Sequence, residues 1–514
     1  MTHRPLALVG VTTFLLACGT EYRPLPTLDV PDTPVEAPAS PAPPDDDVTG
    51  TFGKVPGTES DDLCAAASCG GQSCDAGICN ALSWGAALAG DYDGTVEDLA
   101  VAPDGDMILV GAFFGSVETK EGMVESVDGP DGYVAKVGPA GELRWFRPLG
   151  GEGSSRVRSV AVDADGTIAV GGELAGEIAL GDVTLVTSGR EDAFVALLAS
   201  EGSPRWARVF GEPLDAAGNP GPPEHQHVAA VAFRPDGEGL VAAGGFHAAI
   251  DISGDVYTAS GDEDGFLVSL DMSGDLLWSQ AFGGPGQDHV AALAVDGSGE
   301  LWLAGHFSQD LQLGDLSAGA AGGRDVFVAR VASDGEPRYL AAFGDEADEA
   351  ATGLALDGEA VVVTGWFEQT LPLAGEQTLA SASGADVFVA RLLHEEVVQA
   401  RAMGGELDQR PHDVAIDAAG RTTVVGSFAG GLDVGLGEMQ AVDEDAFVAA
   451  LDADLAGRWS HRYGGPGRQR ATAVAASGGT FFLAGTFLGG LDLGNPQLEG
   501  SPTAQRIFVA AVSP

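Results

Sequence analysis

The hexapeptide DVFVAR occurs twice in the chain, at residues 325–330 and at residues 386–391. As a β-strand, its first copy would place two valines on one side and Phe327 and Ala329 on the other, so both faces are apolar. Such a strand has to be covered on both faces. Because a two-sheet sandwich leaves one face of each sheet in water, the pattern favours sheets packed face to face around an axis.

Five related segments extend this pair into a repeat. The aromatic residues of the seven copies are Tyr133, Phe194, Phe266, Phe327, Phe388, Phe447 and Phe508, at steps of 61, 72, 61, 61, 59 and 61 residues. A second marker keeps nearly the same interval, at Trp84, Trp145, Trp206, Trp278, Tyr339, Ala400 and Trp459. A third is the glycine of a Gly-x-Phe pattern, at Gly111, Gly172, Gly244, Gly305, Gly365, Gly426 and Gly485. Three markers in step indicate a repeated structural unit.

Four strands can be read in one unit, residues 278–338, with Gly, Asp and Ser at the turns and a longer loop over residues 308–324. Seven copies of a four-stranded unit predict an all-β, seven-bladed β-propeller over residues 81–514. The first Trp strand has no unit before it, and the last unit lacks a Trp strand of its own. We therefore expect the N-terminal strand to complete the last blade, which leaves no unpaired sheet edge.

The repeating unit, written YGG…AVD..G..V.G.F…DAFVA.L…G…W, resembles the seven-bladed β-propeller (SBBP-type) repeat of bacterial surface and secreted proteins. The resemblance covers residues 81–514. It implies the propeller fold, and it implies no common activity and no catalytic residue.

The N-terminus, MTHRPLALVGVTTFLLACGT, has a basic residue followed by an apolar stretch too short to span a bilayer, which is typical of an export signal over residues 1–17. The run Leu-x-Ala-Cys ending at Cys18 resembles the lipobox of bacterial lipoproteins, although Leu16 is bulkier than is usual there. The resemblance implies lipidation of Cys18, and Gly19 in place of an aspartate points to the outer membrane. The alternative is an ordinary cleaved signal followed by an incidental cysteine.

Residues 18–62 are rich in proline and acidic residues, which predicts an extended, solvated linker. A small cysteine-rich segment follows over residues 63–80, with Cys64, Cys69, Cys74 and Cys79 at a constant interval of five. In an exported protein this spacing favours two disulfides, with three pairings open. A four-thiolate metal site is the alternative, although such sites usually carry Cys-x-x-Cys pairs.

The formal net charge of −51 makes nucleic-acid binding very unfavourable, because such a surface repels phosphate backbones. It leaves cations and basic protein patches as electrostatic partners. The sequence contains no HExxH motif, phosphate-binding loop or GxSxG nucleophile turn. We expect a monomer that touches the membrane only through its lipid anchor.

Polar residues recur in the connection that leads from an outer strand to the next inner strand, at an edge of the ring where propellers often bind ligands. The candidate binding residues there are Arg156, His225, His227, His289, Glu349, His412, Asp413, Arg468 and Arg470. The alternative is that they are simply polar ends of inner strands. His225 and His227, in a loop lengthened at residues 212–226, would bind a metal only with a third ligand from another blade.

Clusters of acidic residues are candidate ligands for calcium. Clusters such as Asp262-Glu263-Asp264 and Asp443-Glu444-Asp445 offer oxygen ligands but lack the spacing of a calcium-binding loop, so we expect no cofactor and keep Ca²⁺ as the alternative. An aspartate also lies two residues before each repeated aromatic except in the last unit, where Arg506 replaces it. A short carboxylate at that position is expected to accept backbone N–H bonds where the loop enters the strand.

Together these features predict a non-enzymatic β-propeller, lipid-anchored at the bacterial cell envelope, that binds or scaffolds a protein or polysaccharide. The alternative is a propeller hydrolase or lyase that acts on envelope or extracellular polymers, since such enzymes gather acids, histidines and arginines from separate blades.

Overall fold

A computed structural model of the chain describes residues 74–75, 78–79, 81–187, 190–213, 225–373, 377–494 and 497–513. The secondary structure of these residues is entirely β. Among them there is no helix with the length and hydropathy that crossing a membrane requires. The predicted signal peptide, Cys18, the linker, Cys64 and Cys69 lie outside the described residues.

Each repeat unit contributes an inner strand, two middle strands and an outer strand. The inner strands are β4 (Gly90–Val101), β8 (Leu143–Val162), β13 (Gln226–Phe233), β19 (Asp288–Val295), β23 (Glu349–Asp357), β27 (Gln409–Ile416) and β31 (Gln469–Ser477). The second strands are β5 (Met107–Thr119), β9 (Ile168–Leu180), β14 (Gly239–Phe246), β20 (Leu301–Leu313), β24 (Ala360–Pro372), β28 (Thr422–Asp433) and β32 (Thr480–Phe487).

The third strands, which carry the repeated aromatic residue, are β7 (Asp131–Val137), β11 (Asp192–Leu198), β17 (Asp264–Asp271), β21 (Leu316–Val331), β25 (Thr378–Leu393), β29 (Glu438–Leu451) and β35 (Arg506–Ser513). The outer strands are β3 (Ala81–Ala87), β12 (Pro204–Phe210), β18 (Leu276–Phe282), β22 (Pro337–Phe343), β26 (Glu396–Met403) and β30 (Gly457–Tyr463). Short hairpin strands complete the set: β1 (Cys74–Asp75), β2 (Ile78–Cys79), β6 (Gly122–Glu125), β10 (Val183–Val186), β15 (Ala249–Ile252), β16 (Asp255–Thr258), β33 (Gly490–Asp492) and β34 (Gln497–Glu499).

The predicted β-propeller is observed, but the prediction of seven four-stranded blades is wrong. The described residues form five four-stranded blades, while the strands β4 to β12 of the first two repeats belong to one nine-stranded sheet. Strand β8 is the reason, because it runs unbroken for 20 residues and pairs with β7 at one end and β9 at the other. Gly150 and Gly151 continue this ladder because they pair with Ala179 and Ile178 of β9, whereas the corresponding connections at residues 283–287, 344–348, 404–408 and 464–468 belong to no strand.

The predicted N-terminal closure is confirmed. Strand β3 pairs antiparallel with β35 and becomes the outer strand of the last blade. At the same seam the N–H of Gly94 donates to the carbonyl of Gln505 (3.1 Å), which joins the last repeat to the first. The inner strands β4, β8, β13, β19, β23, β27 and β31 pack beside one another in that order, and β31 packs against β4.

The apolar core lies between neighbouring repeats, as the two-faced strand requires. In β21, Val326 and Val328 pack into one cluster together with Phe388 of the next repeat. Phe327 and Ala329 pack into another cluster, together with residues of the preceding repeat. All four DVFVAR core side chains are at most 2% exposed, so the prediction that both faces are covered is confirmed.

The expected loop at 308–324 is instead an extension of the hairpin formed by β20 and β21, which pair out to Leu313 and Leu316. In the cysteine-rich segment, the backbones of Cys74 and Cys79 lie opposite each other in the two-stranded sheet of β1 and β2. Disulfide formation there stays a prediction.

Candidate binding site at the mouth of the central channel

Each inner strand carries a β-bulge, and the bulge selects the side chains that face the channel. The residues left out of the pairing register are Glu97, Arg158, Ala229, Ala291, Thr352, His412 and Thr472. All of them line a cavity of about 260 Å³ between the inner strands. Because a bulge inserts an extra residue, it turns that side chain away from the regular alternation of the strand.

The mouth of this channel is formed where the inner strands begin. The residues two places before each bulge are Thr95, Arg156, His227, His289, Ala350, Arg410 and Arg470. Two other repeat positions meet them: the residue after the Gly-x-Phe glycine, and the residue just before the third-strand aspartate. We call these side chains, together with the bulged residues and Arg468, which lies beside Glu444, the channel mouth.

Two arginines of β8 share one carboxylate at the mouth. Glu173 of β9 forms an ion pair with Arg158 and lies 3.7 Å from Nε of Arg156. Arg156 also lies 3.4 Å from Glu97 of the neighbouring inner strand. Burial raises the pKa of Glu173, and the charge of Arg158 opposes that rise. These contacts hold both guanidinium groups in place across two repeats.

A second network centres on Glu444, which lies just before the repeated aspartate of β29. Arg470 donates to both carboxylate oxygens, at 2.7 and 3.1 Å, and the exposed Arg468 lies 3.8 Å away. The hydroxyl of Ser427 donates to the same carboxylate (2.9 Å) and lies 3.3 Å from Nε2 of His412. Burial lowers the pKa of His412 to about 4, so its imidazole is neutral at pH 7.

Trp366 of β24 lies between two guanidinium groups. The Cζ atoms of Arg410 and Arg324 are 3.6 and 5.2 Å from its ring centroid. Arg324 also pairs with Asp348 (3.2 Å). Arg410 has no ion-pair partner within the described residues, and its Nη1 is buried without a hydrogen bond. Burial lowers the pKa of Arg410 because removal from water disfavours its charge, whereas the face of Trp366 stabilises the cation.

Three histidines and a glutamate lie together on the adjoining part of the rim, where His306 belongs to the same blade as Arg324. The ring of His289 stacks against His227 (5.6 Å) on one side and against His306 (5.0 Å) on the other. Glu263 lies 3.3 Å from Nδ1 of His289 and 3.9 Å from Nε2 of His227. Burial lowers the pKa of His227 and of His306 to about 3. Burial would raise the pKa of Glu263, but the hydrogen bond and charge of His289 hold it at about 2.

Below the mouth, two partly buried aspartates that line the cavity tie inner strands together. Asp98 accepts from the N–H of Val160 (2.8 Å) on the next inner strand, and Asp413 accepts from the N–H of Val474 (2.8 Å) in the same way. Burial raises the pKa of Asp98 to about 6 and that of Asp413 to about 8, and the charge of Asp98 adds to the rise at Asp413.

The structure brings most of the predicted binding residues to this mouth, namely Arg156, His227, His289, His412, Arg468 and Arg470. His225 lies beside it in an ion pair with Glu191 (2.6 Å), apart from the cluster around Glu263. Glu349 and Asp413 are not exposed there. Glu349 is fully buried and accepts from the N–H of Asp345 (3.2 Å), and burial raises its pKa to about 8.

Several mouth residues were missed by sequence reasoning: Glu97, Arg158, Glu173, His306, Arg324, Trp366 and Arg410. A signal was present, because Glu173, His306 and Trp366 share the position after the Gly-x-Phe glycine. An alignment of the repeats would have shown polar and aromatic residues at this position, where the propeller fold itself requires neither. The bulged positions could not be found in this way, since a bulge is a feature of pairing.

The acidic clusters considered for calcium divide between different partners. In the cluster Asp262-Glu263-Asp264, the carboxylate of Glu263 contacts the histidines. The carboxylate of Asp264 instead accepts from the N–H of Ser260 (3.0 Å). In the cluster Asp443-Glu444-Asp445, Glu444 forms ion pairs with Arg468 and Arg470. The carboxylate of Asp445 accepts from the N–H of Val442 (3.0 Å). Binding of Ca²⁺ stays a prediction.

No family model matches the chain. An alignment of 262 positions, which covers 44% of the chain, is 26% identical to the Regulatory protein FlaEY of Caulobacter vibrioides (strain ATCC 19089 / CIP 103742 / CB 15) and spans 26% of the length of that relative. Among solved structures, the WD40 β-propeller domain of Doa1 is 11% identical at a TM-score of 0.40, over 84% of this chain and 97% of that one. The β-propeller domain of the Trilobed protease from Pyrococcus furiosus is 8% identical at a TM-score of 0.39, over 81% and 95%.

Proposed function

We propose that the chain is a non-enzymatic binding module of the bacterial cell envelope, held at the outer membrane by lipid on Cys18, whose channel mouth contacts a protein or polysaccharide partner. The observation that carries this proposal is the convergence of charged side chains from separate repeats above a small cavity. At about 260 Å³ the cavity is below the roughly 300–1,000 Å³ of sites that enclose a small-molecule ligand. The mouth therefore suits contact with a surface.

A protein partner with a basic patch fits the electrostatics best. The net charge of −51 favours approach of a basic surface. The fixed arginines of the mouth, above all Arg410 and Arg470, would then select carboxylate or amide groups within that surface.

Photo-crosslinking tests where the partner binds. A crosslinking residue at position 468, which is 65% exposed at the mouth, should capture the partner in envelope extracts. The same residue at position 359, in the turn between β23 and β24 at the opposite end of the inner strands, is 79% exposed and should capture nothing. Equal capture at both positions would contradict the proposal. An adduct that a protease removes identifies a protein, and one that only a glycosidase removes identifies a polysaccharide.

The anchor is tested separately. We expect Cys18→Ser to release the full chain from the membrane fraction, because a single residue carries the lipid. Protease treatment of intact cells then reports the side of the membrane. Loss of the propeller places it outside the cell, and protection until the outer membrane is opened places it in the periplasm. Retention of the Cys18→Ser chain on membranes would contradict lipid anchoring.

A hydrolase or lyase acting on polymers is the second candidate. The contact that favours it is the network in which Arg470 and Glu444 lie beside the neutral imidazole of His412. Ser427 is not placed as a nucleophile, because its hydroxyl donates to Glu444 (2.9 Å) and, among the described residues, no acid is hydrogen-bonded to His412 to orient it as a base. Release of new reducing ends from envelope polysaccharide by the purified chain, abolished by His412→Ala, would replace the binding proposal.

A further inference from the structure

The cluster of His227, Glu263 and His289 has the geometry of a metal site. One nitrogen of each histidine and one carboxylate oxygen all lie within 4.8 Å of one another. In a tetrahedral zinc site with bonds of about 2.0–2.1 Å, neighbouring ligand atoms are roughly 3.3 Å apart. Nδ1 of His289 and Glu263 are already at that distance, and His227 is 3.9 Å from the same oxygen.

The three side chains come from neighbouring repeats and are held by the fold. His227 and His289 start adjacent inner strands, β13 and β19, at the position two residues before the bulge. Glu263 ends the loop before β17, and its carbonyl accepts from the N–H of Asp288 (2.8 Å), which ties it to the second histidine. The ligand positions are therefore set by strand pairing.

One nitrogen in the cluster lacks a partner. Nε2 of His227 is buried and makes no hydrogen bond to any residue that the structure describes, although it lies 3.9 Å from the carboxylate of Glu263. A buried polar atom left unpaired is costly, and such atoms often mark the place of an ion.

Two further residues support the cluster. Gln287 donates to the second oxygen of Glu263 (3.1 Å), as outer residues do for carboxylate ligands of metals. Gly245 occupies the position that carries Glu173, His306 or Trp366 in other repeats. A Cβ at Gly245 would lie 2.2 Å from Oε1 of Glu263 and 2.9 Å from Cε1 of His227, so only glycine leaves room for this arrangement.

We propose that His227, Glu263 and His289 bind a divalent first-row transition-metal ion, with Zn²⁺ as the representative case. Two imidazoles and one carboxylate are ligands that such ions prefer, whereas Ca²⁺ requires six to eight oxygen atoms. Three protein ligands leave a coordination position open towards the channel mouth, for water or for a donor group of a partner. The site does not depend on the binding function proposed above.

The test is a calorimetric titration of the full chain with Zn²⁺ after metal removal by chelation. Free thiols are alkylated first, so that Cys64, Cys69, Cys74 and Cys79 do not contribute. We expect one equivalent to bind. We expect His227→Ala and His289→Ala each to weaken binding by at least about tenfold.

Gly245→Ala is the sharper variant, because it keeps all three ligands yet displaces Glu263, and it should also weaken binding by at least about tenfold. The matched control is His394→Asn. His394 forms an exposed pair with Glu359 (3.2 Å) and has a φ of 49°, which asparagine tolerates. The control should bind Zn²⁺ like the parent.

Circular dichroism establishes that each variant is folded. If His227→Ala does not fold, the variants of the half-buried His289 and of Gly245 test the proposal in its place. No Zn²⁺ binding by the alkylated parent would overturn the proposal. Unchanged affinity in the folded ligand variants would do so equally, since the ion would then be bound elsewhere.

Discussion

Two glycines that recur in most of the repeats are explained by what lies against them. A Cβ at the glycine of Gly-x-Phe would meet a backbone oxygen of the inner strand, at 2.0 Å for Gly305 and 1.9 Å for Gly244, and the ring of the repeated aromatic. The first glycine after the outer strand faces the repeated aspartate instead. The carboxylate of Asp386 lies over Gly404 in this way, as that of Asp445 does over Gly464.

We predict that Gly404→Ala destabilises the propeller by about 1–3 kcal/mol, because the added Cβ would lie 2.0 Å from Cγ of Asp386. Asp386 cannot move away freely, since it is buried and accepts from the N–H of Ala382 (2.8 Å). Urea unfolding of the full chain measures the loss. Gly297→Ala is the matched control, because nothing lies within 4 Å of its added Cβ. Equal stability of the two variants would contradict this account.

Asp413 should make the stability of the propeller depend on pH. Burial raises its pKa to about 8, above the unfolded value near 4, so between these values the folded state holds a proton that the unfolded state has released. The free energy of unfolding should therefore fall as pH rises through this window, by roughly 1.4 kcal/mol per pH unit for this group. In Asp413→Asn, the dependence of the unfolding free energy on pH should be weaker by this contribution.

The measurement is the urea midpoint at several pH values from 5 to 8.5. Asp98→Asn serves as the comparison, since the pKa of Asp98 is raised only to about 6 and its share of the slope should end there. Glu349, whose pKa is also raised to about 8, leaves part of the slope in both variants. An Asp413→Asn chain with the parental slope between pH 6 and 8 would show that Asp413 is ionised in the folded state.

At the scale of elements, the outer strands are linked by the second repeat marker, which is the residue at the position of Trp206 and Trp278. The indole N–H of Trp206 donates to the carbonyl of Met272 (2.9 Å) in the next repeat, and that of Trp278 donates to Ser333 (3.0 Å) in the repeat after it. Tyr339 makes the same link through its hydroxyl, to the carbonyl of Glu395 (2.9 Å). The marker thus joins three successive outer strands to the following outer hairpin. Ala400 cannot make this link, and the indole nitrogen of Trp459 has no partner among the described residues.

The seam between last and first repeats also explains Arg506, the exception to the repeated aspartate. Its guanidinium donates to the carbonyl of Gly90 (2.8 Å), lies 3.4 Å from Asp91 and packs over the ring of Tyr92 at 4.9 Å. An aspartate there would face Asp91 and Asp93 and leave those contacts unmade.

We predict that Arg506→Asp destabilises the chain by roughly 2 kcal/mol, although it restores the residue found in the other repeats. The unfolding midpoint in urea measures the effect. Arg506→Lys keeps the charge and should lose less. A stabilised Arg506→Asp chain would mean that the repeat consensus outweighs the local contacts of the seam.

At the scale of the whole molecule, closure depends on one strand. Since the N–H of Leu88 donates to the carbonyl of Ile507 (3.1 Å), alternation points the N–H of Ala86 towards β35 and that of Ala87 away from it. Ala86→Pro should therefore break the ladder, lower the melting temperature and expose the edge of β35 to association with other chains.

Ala87→Pro is the matched control, because proline is tolerated where the N–H of an edge strand is free. Thermal unfolding and size-exclusion chromatography of both variants measure the outcome. If Ala86→Pro melts like Ala87→Pro and stays monodisperse, the pairing of β3 with β35 does not close the ring in solution.

The sequence by itself determined the repeat, the all-β fold, the covering of both strand faces and the closing strand, because these follow from periodicities of two and of about 61 residues. Only the tertiary structure decided that five blades are four-stranded while the first two repeats share one sheet, since strand continuity through Gly150 depends on pairing with β9. It also decided which side chains meet at the mouth. Bulges turn residues such as His412 inward, and residues as distant in sequence as His227, Glu263 and His289 become neighbours only when adjacent repeats pack.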